Sequence, residues 1–400
     1  MFITIAIIKE TKKPFDKRTA LTPQQCKDLM EKFSNVKVIV ESCQYRCFSD
    51  KSYSDLGIEV LKDVKHADIF LGIKEVDIDA LIPDKTYLFF SHTIKKQPYN
   101  RDLLRAILKK NITLIDYETL RWGNGNRIIG FGRFAGIVGM HYGLLMWGLK
   151  YKLYTLKPAH ACQNMQELYE QYNNITLPNF KIAICGDGRV AHGCIEVMKQ
   201  LKIHLVSKED YIKNTYNHAV YVHLRNEDFY KHNDGRAWDK SDFYKHPEDY
   251  HSTFKPYYQV TDIMVNAIYW RVGNPMFFTK EQMKGNDFNI KIISDITCDI
   301  PGSLPCTLRN TTIEQPFYGY NPLSENEVEP FTNGSIDMQT IGNLPCELPV
   351  DASSEFGNLL IRHVLPCLIV ADNDNIIEQA TIAHKGKLTA KYSYLNDFVA

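Results

Sequence analysis

The first 120 residues alternate between two hydrophobic periods. Residues 3–8, "ITIAII", form a short continuous apolar run, the pattern of a buried strand. From Thr22 the period becomes helical. "TPQQCKDLMEKFS" (22–34) opens on Thr22 as N-cap with Pro23 at the first helical position, and it places Cys26, Leu29, Met30 and Phe33 on one face. "VKVIVE" (36–41), "IEVL" (58–61), "DIFLGI" (68–73), "TYLFFS" (86–91) and "ITLIDY" (112–117) return to the strand pattern, with "RDLLRAILKK" (101–110) as a helix before the last. Strands alternating with helices predict an α/β fold with a parallel sheet covered on both faces.

A second α/β series starts near residue 180. "FKIAICGDGRVAHGCIEVMKQL" reads as strand, glycine turn and helix. "HLVS" (204–207), "HAVYVHL" (218–224), "DIMVNAIYW" (262–270) and "IKIISDIT" (290–297) supply further strands. The polar and aromatic stretch 225–258 reads as a long excursion. After it the chain returns to strand and helix, with "EFGNLLIRHVLPCL" (355–368) as a terminal helix. Two such series in 400 residues predict two domains, with the strand C-terminal ends lining a cleft between them.

Composition narrows the functional class. Lys plus Arg and Asp plus Glu number 47 each, so the formal charge is zero and a nucleic-acid partner, which a basic surface would have to meet, is not expected. The segment 128–149 is apolar and glycine-rich, but Arg133 and His141 interrupt it. It reads as a closely packed buried helix rather than a membrane span. The first residues lack a basic n-region and a small-residue cleavage site, so they read as a strand and not a signal peptide. Ten scattered cysteines without a CxxC pair read as free thiols of a cytoplasmic protein.

The candidate chemistry lies at strand exits. Lys74 ends one strand and His92 the next, both titratable and both where a cleft would be lined. Either residue alone is ordinarily a solvated strand end; together they form a candidate acid/base pair, with Glu75 and Glu118 placed to tune it. Arg18, in "DKRTALTP", and Arg127, in "NGNRIIGFG", suit bidentate recognition of carboxylates. The order strand–GxGxxA–helix, with Gly186, Gly188, Arg189, Val190, Ala191 and Gly193, is the dinucleotide fingerprint in its proper context. At the end of the following strand, Ser207 and Lys208 stand where an acid would select NAD. This leans towards NADP, although Glu209 and Asp210 just beyond leave NAD open. Asp295 ends a later strand of the same series. No metal-ligand spacing, GxSxG or Walker A element occurs, so no metal, hydrolase or nucleotidase chemistry is expected.

These residues resemble a known family. "KETKKPFDKRTALTP", "LGIKEV", "FFSHTIK", "LIDYETL" and "FGRFAGIVGM" are similar to the N-terminal domain of the alanine dehydrogenase and transhydrogenase superfamily. With "YKHPEDYHSTF", "VNAIYW", "ISDITCDIPGSL", "TTIEQPF" and "NLPCELPVDASSEFGNLL", the resemblance narrows to L-lysine-forming saccharopine dehydrogenase and lysine–ketoglutarate reductase. It implies two Rossmann-like domains: 1–130 plus 309–400 for substrate and catalysis, and 131–308 for the dinucleotide. It implies Lys74 and His92 as acid and base, and Arg18 and Arg127 on substrate carboxylates, with Glu75 and Glu118 beside them. The glycine loop and Asp295 then fall at the cofactor. One departure is Gly342, in "TIGNLP", where the family pattern carries an aspartate. The implied activity is reversible conversion of saccharopine, water and NAD(P)+ into L-lysine, 2-oxoglutarate and NAD(P)H, in lysine metabolism. The alternatives are another amino-acid dehydrogenase of the superfamily, or a catalytically silent dinucleotide-binding regulator.

Overall fold

In the computed structural model, which describes residues 2–13 and 15–400, the β-branched runs at the start of the chain become parallel strands. β1 (Ile3–Ile7) pairs with β2 (Val36–Glu41), Ile3 opposite Val36 and Ile7 opposite Val40. The helix that joins them, α1 (Pro23–Lys32), starts where its sequence demands. Thr22 and Gln25 cap each other's backbone N–H groups reciprocally, and Pro23 occupies a position that needs no donor. β3 (Glu59–Leu61), β4 (Ile69–Leu71), β5 (Thr86–Phe89), α2 (Arg101–Lys109) and β6 (Thr113–Asp116) follow in chain order. α2 buries Leu103, Leu104 and Ile107 against the sheet, the three apolar positions its spacing puts on one side.

At Gly132 the chain enters a second compact unit, Gly132–Leu348. It opens with α3 (Gly132–Tyr151), followed by β7 (Lys181–Cys185), α4 (Arg189–Gln200), β8 (His204–Leu205), α5 (Lys208–Lys213) and β9 (Val220–Leu224). A small antiparallel hairpin, β10 (Tyr230–His232) with β11 (Tyr250–Ser252), then precedes β12 (Ile263–Asn266), β13 (Ile292–Asp295), β14 (Phe317–Asn321), β15 (Asn326–Val328) and β16 (Ile336–Gln339). The sheet order is β15-β14-β16-β13-β12-β7-β9-β8. α3 and α4 cross at backbone contact. A Cβ on Gly136 would stand 1.9 Å from the Val190 carbonyl oxygen, and one on Gly193 would stand 2.1 Å from that of Arg133. The glycine-rich stretch of the sequence is therefore a helix-packing surface. Among the described residues no helix is long and apolar enough to cross a membrane.

The chain returns to the first unit at Pro349. α6 (Pro349–Leu359) runs through a π turn, Leu360–Val364, into a last helical turn, Leu365–Ile369. Phe356, Leu360, Val364 and Leu365 join Ala20, Leu21, Cys26 and Leu29 in one core. The Gln25 side chain donates to the Ser354 carbonyl at 2.7 Å and to Asn358 Oδ1 at 2.8 Å. β17 (Thr381–His384) and β18 (Lys387–Leu388) complete the first sheet, whose order is β18-β17-β6-β5-β4-β1-β2-β3.

Three expectations change. Both sheets are mostly parallel but carry antiparallel edges. β17 and β18 are joined by the two-residue turn Lys385–Gly386, in which both φ angles are positive (46° and 74°), and so short a connection permits only antiparallel pairing. Residues 309–348, expected to complete the first domain, instead extend the second sheet, because β16 pairs in parallel with β13 and carries the β14–β15 hairpin with it. The polar excursion 225–258 is folded: Phe229, Tyr230, Phe243, Tyr250, Phe254, Tyr257 and Tyr258 bury their rings in the core of the second unit.

The glycine contacts make a stability prediction. Gly136→Ala or Gly193→Ala drives a methyl group into facing backbone, and overpacking of this kind costs about 1–3 kcal/mol. Gly188→Ala, where a Cβ meets nothing within 4 Å, leaves stability within about 0.5 kcal/mol of the parent. Urea or thermal unfolding of the three variants checks the contrast; equal losses at all three positions would remove the packing explanation.

Candidate active site

In the first unit β1, β4, β5 and β6 are adjacent and parallel, so their C-terminal ends open side by side. The segment after β1 carries Glu10, Lys12, Asp16 and Arg18, none of which except Arg18 was marked by pattern or spacing. Glu10 is buried and accepts the backbone N–H groups of Ile73 and Lys74, each at 2.7 Å. It thereby sets the direction in which the chain leaves β4, and with it the position of Lys74. Burial, reinforced by the neighbouring Asp16 carboxylate, pushes the Glu10 pKa up to about 8.

Asp16 and Arg18 form a buried bidentate pair, Nε to Oδ1 at 2.9 Å and Nη2 to Oδ2 at 2.5 Å. The Arg18 guanidinium lies over the Phe131 ring, 4.0 Å from its centroid. Burial alone would raise Asp16, but the guanidinium holds its carboxyl well below the usual carboxylate range. Lys74 feels the same group with the opposite result. Desolvation lowers its pKa, the Arg18 charge lowers it further, and Asp16 and Glu75 only partly oppose them.

β5 delivers His92. Ser91 donates its backbone N–H (3.1 Å) and its hydroxyl to Asp116 Oδ2 at the end of β6, and Ser91 and Thr93 hydroxyls share a hydrogen bond of 2.8 Å. That network holds the chain reversal in which His92 adopts φ 54°, an uncommon left-handed conformation for a side-chain-bearing residue. His92 Nδ1 lies 2.7 Å from Glu75 Oε1, and the other Glu75 oxygen pairs with Lys12 Nζ at 2.9 Å. Burial works against the Glu75 charge, but the His92 hydrogen bond holds its pKa down at about 2. Asp116 also accepts the Glu118 amide at 2.7 Å. Glu118 pairs with Arg127 and lies 3.5 Å from Lys95 Nζ, and its remaining oxygen is buried without a hydrogen-bond partner. Lys74, Glu75, His92 and Glu118 therefore lie just past the ends of neighbouring strands, while Arg18 and Arg127 come from further along the segments after β1 and β6 and pair with Asp16 and Glu118. Each arginine brings its own carboxylate, so a substrate carboxylate would compete with Asp16 or Glu118.

In the second unit the glycine turn follows β7. Gly186 has φ 130° and its missing Cβ leaves room for the Ala267 carbonyl, which a methyl would approach to 2.4 Å. Gly188 caps α4, Arg189 and Val190 form its first residues, and the space beside Gly188 is open. This arrangement fits a dinucleotide pyrophosphate at the helix N-terminus. Asp295 lies at the end of β13 but is buried and fully engaged. It accepts from Asn266 Nδ2 (2.7 Å), the Cys298 amide (3.1 Å) and Thr307 Oγ1 (2.6 Å), pinning the following loop, and burial raises its pKa. Gly342 is exposed and a Cβ there would meet nothing within 4 Å.

The Ser207–Lys208 assignment changes with the strand order. β8 is the edge strand, and β9 separates it from β7. Ser207 caps α5 by accepting the Asp210 amide, and Lys208 pairs with Asp228. The residue brought to the glycine turn is Arg225, one past β9, with Nε 3.4 Å from Asp187 Oδ1. Chain order alone does not reveal this, because a strand later in the sequence inserts between two earlier ones.

Residues 6–138 match the N-terminal domain model of the alanine dehydrogenase/PNT family. The chain is 28% identical over 439 residues to alpha-aminoadipic semialdehyde synthase of Arabidopsis thaliana, covering 98% of this chain and 41% of that protein. It is 28% identical to the mitochondrial mouse (Mus musculus) protein of the same name, covering 98% of this chain and 47% of that protein. The chain thus spans less than half the length of these relatives. It is also 25% identical to the NAD(+), L-lysine-forming saccharopine dehydrogenase of Schizosaccharomyces pombe, covering 88% of this chain and 90% of that protein. In fold it is similar to an L-alanine dehydrogenase, with a TM-score of 0.67 at 14% identity over the whole of both chains. A transhydrogenase from Sinorhizobium meliloti follows with a TM-score of 0.58 at 14% identity, over 96% of this chain and all of that one. The chain is thus a homologue of the alpha-aminoadipic semialdehyde synthases and saccharopine dehydrogenases, with residues 6–138 matching the N-terminal domain of the alanine dehydrogenase/PNT family.

Proposed function

We propose that the protein is a pyridine-nucleotide oxidoreductase that interconverts saccharopine and water with L-lysine and 2-oxoglutarate. The observation that carries this reading is the grouping of Lys74, His92 and their carboxylate and arginine neighbours at the ends of adjacent strands, in a chain homologous to saccharopine dehydrogenases. A dinucleotide would be held by Gly186, Gly188, Arg189 and Val190, and the chemistry it supplies is acceptance or donation of a hydride.

The chain's own residues handle protons and alignment. Arg18 and Arg127 orient substrate carboxylates, fixing the secondary amine near Lys74 and His92. Lys74, whose ammonium is disfavoured by burial and by Arg18, acts as the base that takes the amine proton as the substrate is oxidised to an imine. Glu75 accepts the Nδ1 proton of His92, which leaves Nε2 to take a proton from the water that adds to the imine carbon. Lys74 gives its proton back to the imine nitrogen as the water adds; as the carbinolamine collapses to a ketone, His92 Nε2 returns its proton to the departing lysine amine and Lys74 takes the hydroxyl proton. In the reverse direction each group changes role.

The reading is tested by steady-state assay of L-lysine plus 2-oxoglutarate against NADH and NADPH separately, with pyruvate plus ammonia as the competing substrate pair. Turnover of the lysine pair alone is expected, with NADPH preferred. Turnover of pyruvate and ammonia alone would assign the chain to a simpler amino-acid dehydrogenase, and no turnover with dinucleotide bound would favour a silent regulator.

Lys74→Met and His92→Gln are each expected to lower kcat by ~10²–10⁴-fold while fold and dinucleotide affinity persist. The double variant should be less impaired than the product of the two singles, because both groups serve one proton sequence. Strict multiplicativity would assign them independent roles.

Saccharopine oxidation requires neutral Lys74, so activity falls as pH drops through its pKa. The Glu75 carboxylate raises that pKa. Glu75→Gln removes the charge and should move the acid limb of the kcat/KM profile to lower pH. An unmoved or raised limb would separate that limb from Lys74.

A further inference from the structure

We propose that Trp122 is a positioning residue: its ring, docked on His363, anchors the 121–127 hairpin and so sets where Arg127 meets a substrate carboxylate. This deepens the saccharopine reading and rests on it. The hairpin follows the turn that carries Glu118, and few bonds close it. Ile128 donates its amide to the Leu120 carbonyl and Trp122 to that of Asn126, each at 2.9 Å, and the Gly125 amide returns to the Trp122 carbonyl at 2.8 Å. Arg121 and Arg127 face each other across it in an antiparallel bridge. Residues 121–127 are all exposed, and a Cβ on Gly123 or Gly125 would meet nothing within 4 Å. A two-stranded ribbon by itself is marginal in water, so this one needs a tie outside itself.

Trp122 supplies that tie. Its ring meets the His363 imidazole edge to face, with centroids 5.0 Å apart and planes at 83°, an arrangement that aromatic rings favour. Only 36% of Trp122 is accessible, although the strand that carries it is exposed. His363 lies in the π turn Leu360–Val364, whose Leu360 and Val364 are fully buried in the core of the first unit. The imidazole is therefore presented from a fixed base. Burial and the adjacent Arg362 charge lower its pKa, which keeps it a neutral ring. The hairpin ladder carries the anchor to Arg127. Trp122 is bonded to Asn126, the residue before Arg127, and the Asn126 amide is held in turn by Asn124 Oδ1 at 3.0 Å. Fixing Trp122 thus fixes the backbone from which the half-exposed Arg127 side chain reaches Glu118. A guanidinium grips a carboxylate with two parallel bonds only when its own position is set, and a hairpin free to swing would carry it away.

The test compares Trp122→Leu, which removes the ring contact but keeps an apolar side chain, with Trp122→Phe, which keeps a ring. Trp122→Leu is expected to lower kcat/KM for 2-oxoglutarate, at saturating L-lysine, by roughly two- to tenfold, the factor an aromatic pair supplies. The loss should fall in KM, with dinucleotide affinity and melting temperature unchanged, since the site is on the surface. Trp122→Phe should restore the parent values. Placed in an Arg127→Gln background, Trp122→Leu should cause no further loss, because a residue that acts through Arg127 has nothing left to position. Hydrogen exchange at residues 123–127 should quicken in Trp122→Leu and not in Trp122→Phe. Unchanged exchange in the Leu variant, or a full further loss on top of Arg127→Gln, would overturn the proposal. A parent that fails to turn over L-lysine and 2-oxoglutarate would overturn the saccharopine reading instead, and the exchange rates alone would then decide the anchor.

Discussion

Two buried carboxylates organise the strand exits on which the candidate chemistry depends. A parallel sheet leaves unpaired backbone N–H groups where its strands stop, and a buried N–H without a partner is costly. Glu10 closes two of them, at Ile73 and Lys74, and Asp116 closes two more, at Ser91 and Glu118. These four bonds aim the exits of three strands, so Lys74, His92 and Glu118 are positioned by backbone geometry before any side-chain contact is made. The cost appears in the titration behaviour: burial raises both carboxylates. The local chemistry around them is correspondingly sensitive to charge.

That sensitivity gives each titratable group its character. One guanidinium, Arg18, lowers both Asp16 and Lys74, because a positive charge favours a carboxylate and disfavours an ammonium in the same low-dielectric surroundings. Glu75 is held ionised by His92 on one oxygen and Lys12 on the other. The second unit uses the same device at β13, where Asp295 spends its oxygens on Asn266, Cys298 and Thr307 and so fixes a loop. An aspartate at a strand exit is thus as able to be an anchor as a ligand.

Local signals in the chain set the structure where local physics decides it. Thr22, Pro23 and Gln25 start a helix, β-branched runs become strands, and Gly186 and Gly188 shape a turn between strand and helix. The positions of Lys74 and His92 past the ends of two strands are legible because each ends an apolar run. Glu10, Asp16 and Asp116 are not, since an acidic residue in a polar loop carries no mark of the amides or guanidinium it will meet. The place of residues 309–348 is not legible for a related reason: whether a hairpin joins one sheet or another depends on which edge accepts it, and β13 is remote in sequence from β16.

The sequence by itself determined the elements, the glycine turn and the two-domain α/β class, because capping, periodicity and turn chemistry act over a few residues. Tertiary structure alone decided which strand lies beside which. That order put β9 next to β7, displaced Lys208 from the glycine turn and brought Arg225 there instead. Strand pairing is a contest among distant segments for the same backbone hydrogen bonds, and its outcome is not written in any one of them.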